Sequence, residues 1–130
     1  MPRDLIPEEI KQFLIENIDS IAELEGLLLL RGNPHELWSA NSLAQRLYTT
    51  QEQIENVLER LKSLGFLAIK EDDPTTFFYK PRSTGLAHTV DQIAEVYSKY
   101  LIAVTNLIHA KSETRIQEFA DAFKLRKKDG

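Results

Sequence analysis

The stretch "TTQEQIENVLERLKSLGFL", residues 49–67, decides how the chain folds. Thr50 can cap a helix, with Gln53 at the partner position of a capping box. Ile54, Val57, Leu58, Leu61 and Leu64 recur at three- and four-residue spacing, which gives that helix one apolar face. Gly65 stops it. The outward face carries Gln51, Gln53 and Asn56, but also Glu52, Glu55 and Glu59, with no cation before Arg60. The layout is that of a capped amphipathic helix running into a strand, with an outward face rich in amides and carboxylates.

Upstream, "HELWSANSLAQRLYT" holds a short helix capped by Ser39, with Leu43, Ala44 and Leu47 inside. Ala44 is small enough to let the next helix approach, and Tyr48-Thr49 makes a tight connection. Before that, Ser20 and Glu23 form an S-x-x-E box that opens a helix with Ile21, Leu24, Leu27 and Leu28 on its buried stripe. Gly32 and Pro34 end it. Pro7, Glu8 and Glu9 start a first helix carrying Ile10, Phe13 and Leu14.

Downstream the period changes to two. "FLAIKEDDPTTFFYK", residues 66–80, reads as a hairpin: Leu67 and Ile69 alternate with Ala68 and Lys70, "EDDP" turns, and Phe77 and Tyr79 return. Phe78 then points away from the hairpin's core face, and a covering by the helix that follows is expected. Val90, Ile93, Tyr97, Tyr100, Val104 and Leu107 are spaced 3, 4, 3, 4, 3, a heptad-like seam on one long helix. A bend is expected near 111–113, with Ser112 as a cap and a new stripe of Ile116, Phe119, Ala120 and Phe123. The tail "KLRKKDG" is basic.

The expected organisation is mainly α with a small β-hairpin. An N-terminal helix occupies 1–19 and a helix-turn-helix with its attached hairpin 20–82. A C-terminal helical region, whose seam suits pairing with a second chain, spans 83–125 and the basic tail 126–130.

With 130 residues, 42% of them hydrophobic, the chain can bury a core without staples. The absence of cysteine excludes disulfides and thiolate metal sites. The longest apolar run, "GLLLL", is far short of the roughly 20 residues that span a bilayer. The polar start "MPRDLIPEEI" is unlike a signal peptide, so a cytoplasmic location is expected. The net charge of −4 is unevenly placed. Residues 1–38 carry three Lys/Arg against eight Asp/Glu, whereas 39–64 and 65–82 each balance at three against three. The acidity therefore lies away from the reading helix.

The run "SANSLAQRLYTTQEQIENVLERLKSLGFLAI" resembles the winged helix-turn-helix domain of MarR/PadR-like transcriptional regulators. It shows the capped helix with Leu-Ala, the tight turn, the capped second helix ending Leu-x-x-Leu-Gly, and the strand. The likeness covers roughly 20–82, and the long helix after it resembles those regulators' dimerisation helices in architecture only. It implies that Thr50–Arg60 enters the major groove and that the 70–76 turn touches the neighbouring backbone. The family usually places Arg or Lys on the reading helix and wing tip. Here the helix offers amides and the tip is Glu71-Asp72-Asp73.

The candidate interface follows. Thr50, Gln51, Gln53 and Asn56 form the front, where Gln and Asn amides can pair with adenine edges without charge. Arg46, Arg60, Lys70, Lys80 and Arg82, together with Lys62, are the cations available for phosphates. Val90, Ile93, Tyr97, Tyr100, Val104 and Leu107 are the expected dimer seam, and a small effector between wing and dimer helix is compatible with it. No metal or cofactor is expected: His35, His88 and His109 lack ligand spacing. The last two, 21 residues apart, would lie about 30 Å apart on one helix. No phosphate loop or nucleophile elbow is present, so catalysis is not expected. Two functions remain: a dimeric, sequence-specific DNA-binding regulator, or a winged-helix protein-interaction module whose acidic helix and wing meet a basic partner.

Overall fold

Hydroxyl caps and one glycine cut the chain into its elements. The computed structural model describes residues 6–111 and 120–121. In chain order these are α1 (Glu8–Asn17), α2 (Ile21–Gly32), α3 (Ala40–Leu47), α4 (Gln51–Ser63), β1 (Leu67–Lys70), β2 (Asp73–Tyr79) and α5 (Thr84–Lys99). The chain is helical again over 101–111. Ser20, Ser39, Thr50 and Ser83 each accept the N–H three residues on, which satisfies one orphan donor per helix. Ser39 and Ser42 reciprocate, closing a full box. Glu23 departs from the expected box. Its carboxylate reaches past Ser20 to the Asp19 N–H, 2.9 Å away, and this leaves its second oxygen free for another partner.

Gly65 ends α4 in a left-handed conformation, φ +91°. Its N–H donates to the Lys62 carbonyl and the Phe66 N–H to that of Leu61, so the last carbonyls of the helix are satisfied before the chain enters β1.

Three helices meet on one core. Leu24, Leu27 and Leu30 of α2, Leu43 of α3, and Ile54, Leu58 and Leu61 of α4 are fully buried, as are Leu14 and Ile18 at the end of α1. Each such side chain contributes roughly 1.5–3 kcal/mol of burial, against the entropy of ordering it. The apolar stripes read from the sequence are the faces that meet.

The hairpin pairs antiparallel, Leu67 with Tyr79, Ala68 with Phe78 and Ile69 with Phe77, and a bulge at Ile69/Lys70 brings Lys70 opposite Asp73. Asp73 and Pro74 belong to β2, so the turn is shorter than "EDDP". Trp38 adds a third, single-residue rung. It exchanges both backbone hydrogen bonds with Phe77 at 2.8 and 2.7 Å, and so ties the wing to the entry of α3. Phe77 is buried. Tyr79 points the same way, close enough to Asp91 of α5 and Arg31 of α2 to feel both charges. Phe78 does not behave as expected: half-buried, it shares an open concavity with Ala68, Lys70 and Lys80 on the hairpin's outer side. The residue turned toward the helices is Tyr79, since a strand alternates and Phe77 already faces in.

The seam also differs from expectation. α5 stops at Lys99, and Tyr100 leaves the helical region at φ −129°, ψ 50°, before helix resumes. This interruption shifts the phase, so Val104 and Ile108 are buried beyond it while Leu107 is only half-buried. Val90, Ile93 and Val104 belong to the same core cluster as α1 and α2. The stripe expected to pair two chains therefore serves this chain's own core. Leu101 and Ile102, at the interruption, are left 49% and 70% exposed. The bend expected past Lys111, the Ser112 cap, most of the following stripe and the tail lie outside the described residues. Among the described residues no helix is long and apolar enough to cross a membrane.

Gly65→Ala should destabilise the fold by about 1–2 kcal/mol, the penalty of a left-handed conformation for a residue with Cβ. The new Cβ would also lie 2.7 Å from Cδ of Arg82. Urea denaturation measures this; an unchanged midpoint would show that the α4 stop does not depend on glycine.

Candidate nucleic-acid interface

The front of α4 is built from its N-cap outward. Thr50, Gln51, Gln53 and Asn56 are all exposed, held on one side of the helix because Ile54, Val57, Leu58 and Leu61 occupy the other. The Thr49 hydroxyl donates to Oε1 of Gln53, which steadies that amide. Gln51 donates weakly to Glu55 at 3.5 Å. The Asn56 amide has no partner among the described residues. Glu52, Glu55 and Glu59 share this exposure.

Beside the helix runs a groove of about 520 Å³, walled by the start of α3, α4 and the β2 side of the wing. Glu55 and Glu59 line it together with Asn41, Gln51 and Thr75. At the wing tip, Asp73 accepts from the Thr75 hydroxyl at 2.6 Å, the Thr76 hydroxyl at 2.8 Å and the Thr75 N–H at 3.1 Å. The Thr75 hydroxyl, followed by that of Thr76, holds the Asp73 carboxyl below the usual aspartate range. The tip is thus an ordered anion at neutral pH, where the family resemblance leads one to expect a cation.

The cations are not gathered around this front. Arg46 lies over the Trp38 ring, 5.4 Å from its centroid, a cation–π contact. Lys62 pairs with Glu59 at 3.5 Å and Lys70 with Asp72 at 3.8 Å; both pairs are exposed and weakly held. Among the described residues Lys80 and Arg82 form no ion pair, and both are exposed where the wing leaves the domain.

Arg60 is withdrawn from the interface. Its Nε meets Glu23 at 2.7 Å, and one terminal nitrogen donates to the Asn17 carbonyl at 2.6 Å and lies 3.3 Å from Asp19. Asp19 in turn receives Nζ of Lys111 at 3.0 Å, and Lys111 also donates to the Ile18 carbonyl at 2.9 Å. Glu23 is buried, so its charge needs this partner. The last turn of α4, the α1–α2 corner and the 101–111 segment are locked by one set of charges. Nothing local in the sequence announces it: Arg60 and Glu23 are separated by 37 residues, and S-x-x-E accounts for Glu23 without Arg60. Trp38 was missed as well, although its position two residues before the start of α3 marks it as an anchor.

The seam tyrosines part company. Tyr97 lines a cleft of about 460 Å³ between α2, α3 and α5, together with Glu25, Leu28 and Arg46. Burial, then the Glu25 carboxylate beside it, push its phenol up to about 12. Tyr100 is half-buried at the helix interruption. His35, His88 and His109 are all exposed, and no three His, Cys, Asp or Glu side chains converge on a metal-sized site among the described residues.

The sequence matches no family model and no curated protein. Solved structures do match. MepR, a transcription regulator of the Staphylococcus aureus multidrug efflux pump MepA, superposes with a TM-score of 0.53 at 14% identity, covering 95% of this chain and 89% of that one. A MepR point mutant gives 0.51 at 15% identity over 95% and 89%. A mutant of Escherichia coli MarR gives 0.49 at 17% identity over 97% and 98%. The likeness to MepR shows the fold: a winged helix with further helices before and after the α3–α4 pair and its hairpin.

Two measurements test the site's electrostatics. Arg60→Met should destabilise by about 2–3 kcal/mol, less than the roughly 3–5 kcal/mol for breaking a fully buried pair because Arg60 is itself 40% exposed. Glu23→Gln combined with Arg60→Met should recover part of this, since no uncompensated carboxylate remains; equal loss in both would exclude the charge as the cause. Ultraviolet titration should find one phenol, removed by Tyr97→Phe, ionising about two units above the ordinary tyrosine value near 10. Because the folded value is raised, the associated stability is complete below pH 10 and lost as pH rises toward 12.

Proposed function

We propose that the protein is a dimeric, sequence-specific DNA-binding transcription regulator. The observation that carries this is the front of α4: a capped, fully exposed helix start bearing Thr50, Gln51, Gln53 and Asn56, set beside a wing in the MarR-type fold. In such a fold the second helix of the pair enters the major groove with its N-terminal residues on base edges. MepR, which shares the fold, is a transcription regulator. The unit that reads DNA is residues 20–82, flanked by the N-terminal helix and by the region 83–125 through which two chains would join.

Gln53 and Asn56 are the base readers, by bidentate pairing with adenine. Lys80 and Arg82 are the phosphate contacts, with Arg46, Lys70 and Lys62 released from weak contacts as needed. Arg60 contributes by fixing the helix rather than by touching DNA. Sequence-independent attraction is weak in consequence, because Glu52, Glu55, Glu59 and the wing tip repel phosphates. Dimerisation uses the apolar side chains the chain leaves uncovered, Leu101 and Ile102, with Tyr100 and Leu107 at their margin. Such a regulator would work in the cytoplasm, on chromosomal DNA. The acidic wing tip and the carboxylate-lined groove favour one other reading, a surface that meets a basic protein partner instead of DNA.

Selection of sheared genomic DNA at about 100 mM salt, where weak phosphate attraction is screened, separates the two. The expected result is a few sites with inverted half-sites about one helical turn apart. Gln53→Ala and Asn56→Ala should relax sequence preference, whereas Lys80→Ala should weaken binding to all sequences alike. No enrichment by a folded dimer would reject the DNA reading, and equal loss across sequences from the amide variants would reject the base-reading roles.

A further inference from the structure

Tyr48 is the residue whose conformation and exposure the fold does not account for. It caps α3 in the left-handed region, φ 56°, ψ 44°, and is the sole non-glycine residue with positive φ among those described. Its main chain is used: its N–H bonds to the Ala44 carbonyl, which the Thr49 N–H also reaches at 3.1 Å. Its side chain is not, since at 96% exposure the ring touches essentially nothing in the chain. A turn at this φ is best made by glycine or asparagine. A tyrosine here strains the backbone and leaves a large ring in water, with no intramolecular return for either.

Its surroundings name the ligand. Asn41, Gln45 and Tyr48 follow one another at four and three residues along the exposed side of α3, with Gln45 donating to Asn41 at 3.4 Å. The strip is uncharged, and it ends two residues before Thr50, the cap of α4. In a helix-turn-helix this corner faces the sugar–phosphate backbone at the edge of the groove that the second helix enters. A phenol suits that place. Its O–H donates to a phosphate oxygen without carrying charge, and its ring covers the deoxyribose. Lys62 and Lys70, by contrast, are each paired with a carboxylate, whereas the Tyr48 phenol is left facing solvent.

We propose that Tyr48 is a backbone anchor for the reading helix, donating from its phenol to a DNA phosphate at the groove edge. The inference rests on the DNA-binding reading above. It assigns to the corner between α3 and α4 part of the positioning role that the acidic wing tip cannot perform.

The test uses the full chain and a duplex recovered by genomic selection, with an unrelated duplex as control. Tyr48→Phe should weaken both complexes by about fivefold, the loss of one hydrogen bond. Because no counterion is released by a neutral donor, the slope of log K against log salt should stay as in the native chain, whereas Lys80→Ala flattens it. Tyr48→Gly should weaken binding at least as much without lowering Tm, since glycine accepts this φ freely. A merely structural tyrosine would show the reverse, a changed Tm with unchanged affinity. Binding of both variants within twofold of native, while the native chain holds its duplex, would overturn the role of Tyr48 alone. A native chain that binds no duplex would overturn the DNA reading and this inference together.

Discussion

The buried charge on Glu23 is the constraint around which the other parts are arranged. A carboxylate taken out of water needs a cation with good geometry, and Arg60 supplies it across the α2–α4 contact at 2.7 Å. The same guanidinium reaches the Asn17 carbonyl and Asp19, and Asp19 holds Lys111. Packed leucines alone would let α4 rotate or slide by a fraction of a turn at modest loss, since apolar contacts are not directional. The charge set removes that freedom. It fixes where the front of α4 points relative to α1 and to the 101–111 segment.

The interface that results has little electrostatic attraction of its own. Arg60 of α4 is held by Glu23 and Asp19, Arg46 rests on Trp38, and the wing tip holds an aspartate made more acidic by two threonines. What faces outward from α3 and the start of α4 is amide, hydroxyl and phenol interleaved with the carboxylates of Glu52 and Glu55. On the proposed function, such a surface would discriminate by hydrogen-bond geometry, with little of the counterion-release term that lets basic proteins hold any sequence.

Much of this fold was legible beforehand because it is written in local signals. Thr50, Ser39 and Ser20 cap helices through their own side chains, Gly65 stops one, and the stripes of α2 and α4 match the helical period. Where the reading departed from the structure, the cause was tertiary. The spacing from Val90 to Leu107 fits a seam between two chains and a core face within one equally well, and only the position of α1 decides. The interruption at Tyr100 has no glycine or proline to mark it. Arg60 looked like a surface cation because its partners lie in other helices, and Phe78 looked as if it needed a cover that the hairpin's open outer side does not supply. Of the candidate site, the amides of α4 were visible from spacing alone; the weight of Trp38 and the exposure of Tyr48 were not.

The bulge at Ile69/Lys70 has a bearing on the protein's behaviour at high concentration. β2 is flanked by β1 on one side and by the Trp38 rung on the other, so β1 presents the open edge of the sheet. An unpaired strand edge is a template for adding a strand from another molecule. Here the edge is four residues long, twisted by the bulge, and runs straight into Lys70, Glu71 and Asp72. The carboxylates of the wing tip thus protect the sheet from edge-to-edge aggregation, a protection that lysines in their place would preserve and apolar residues would not.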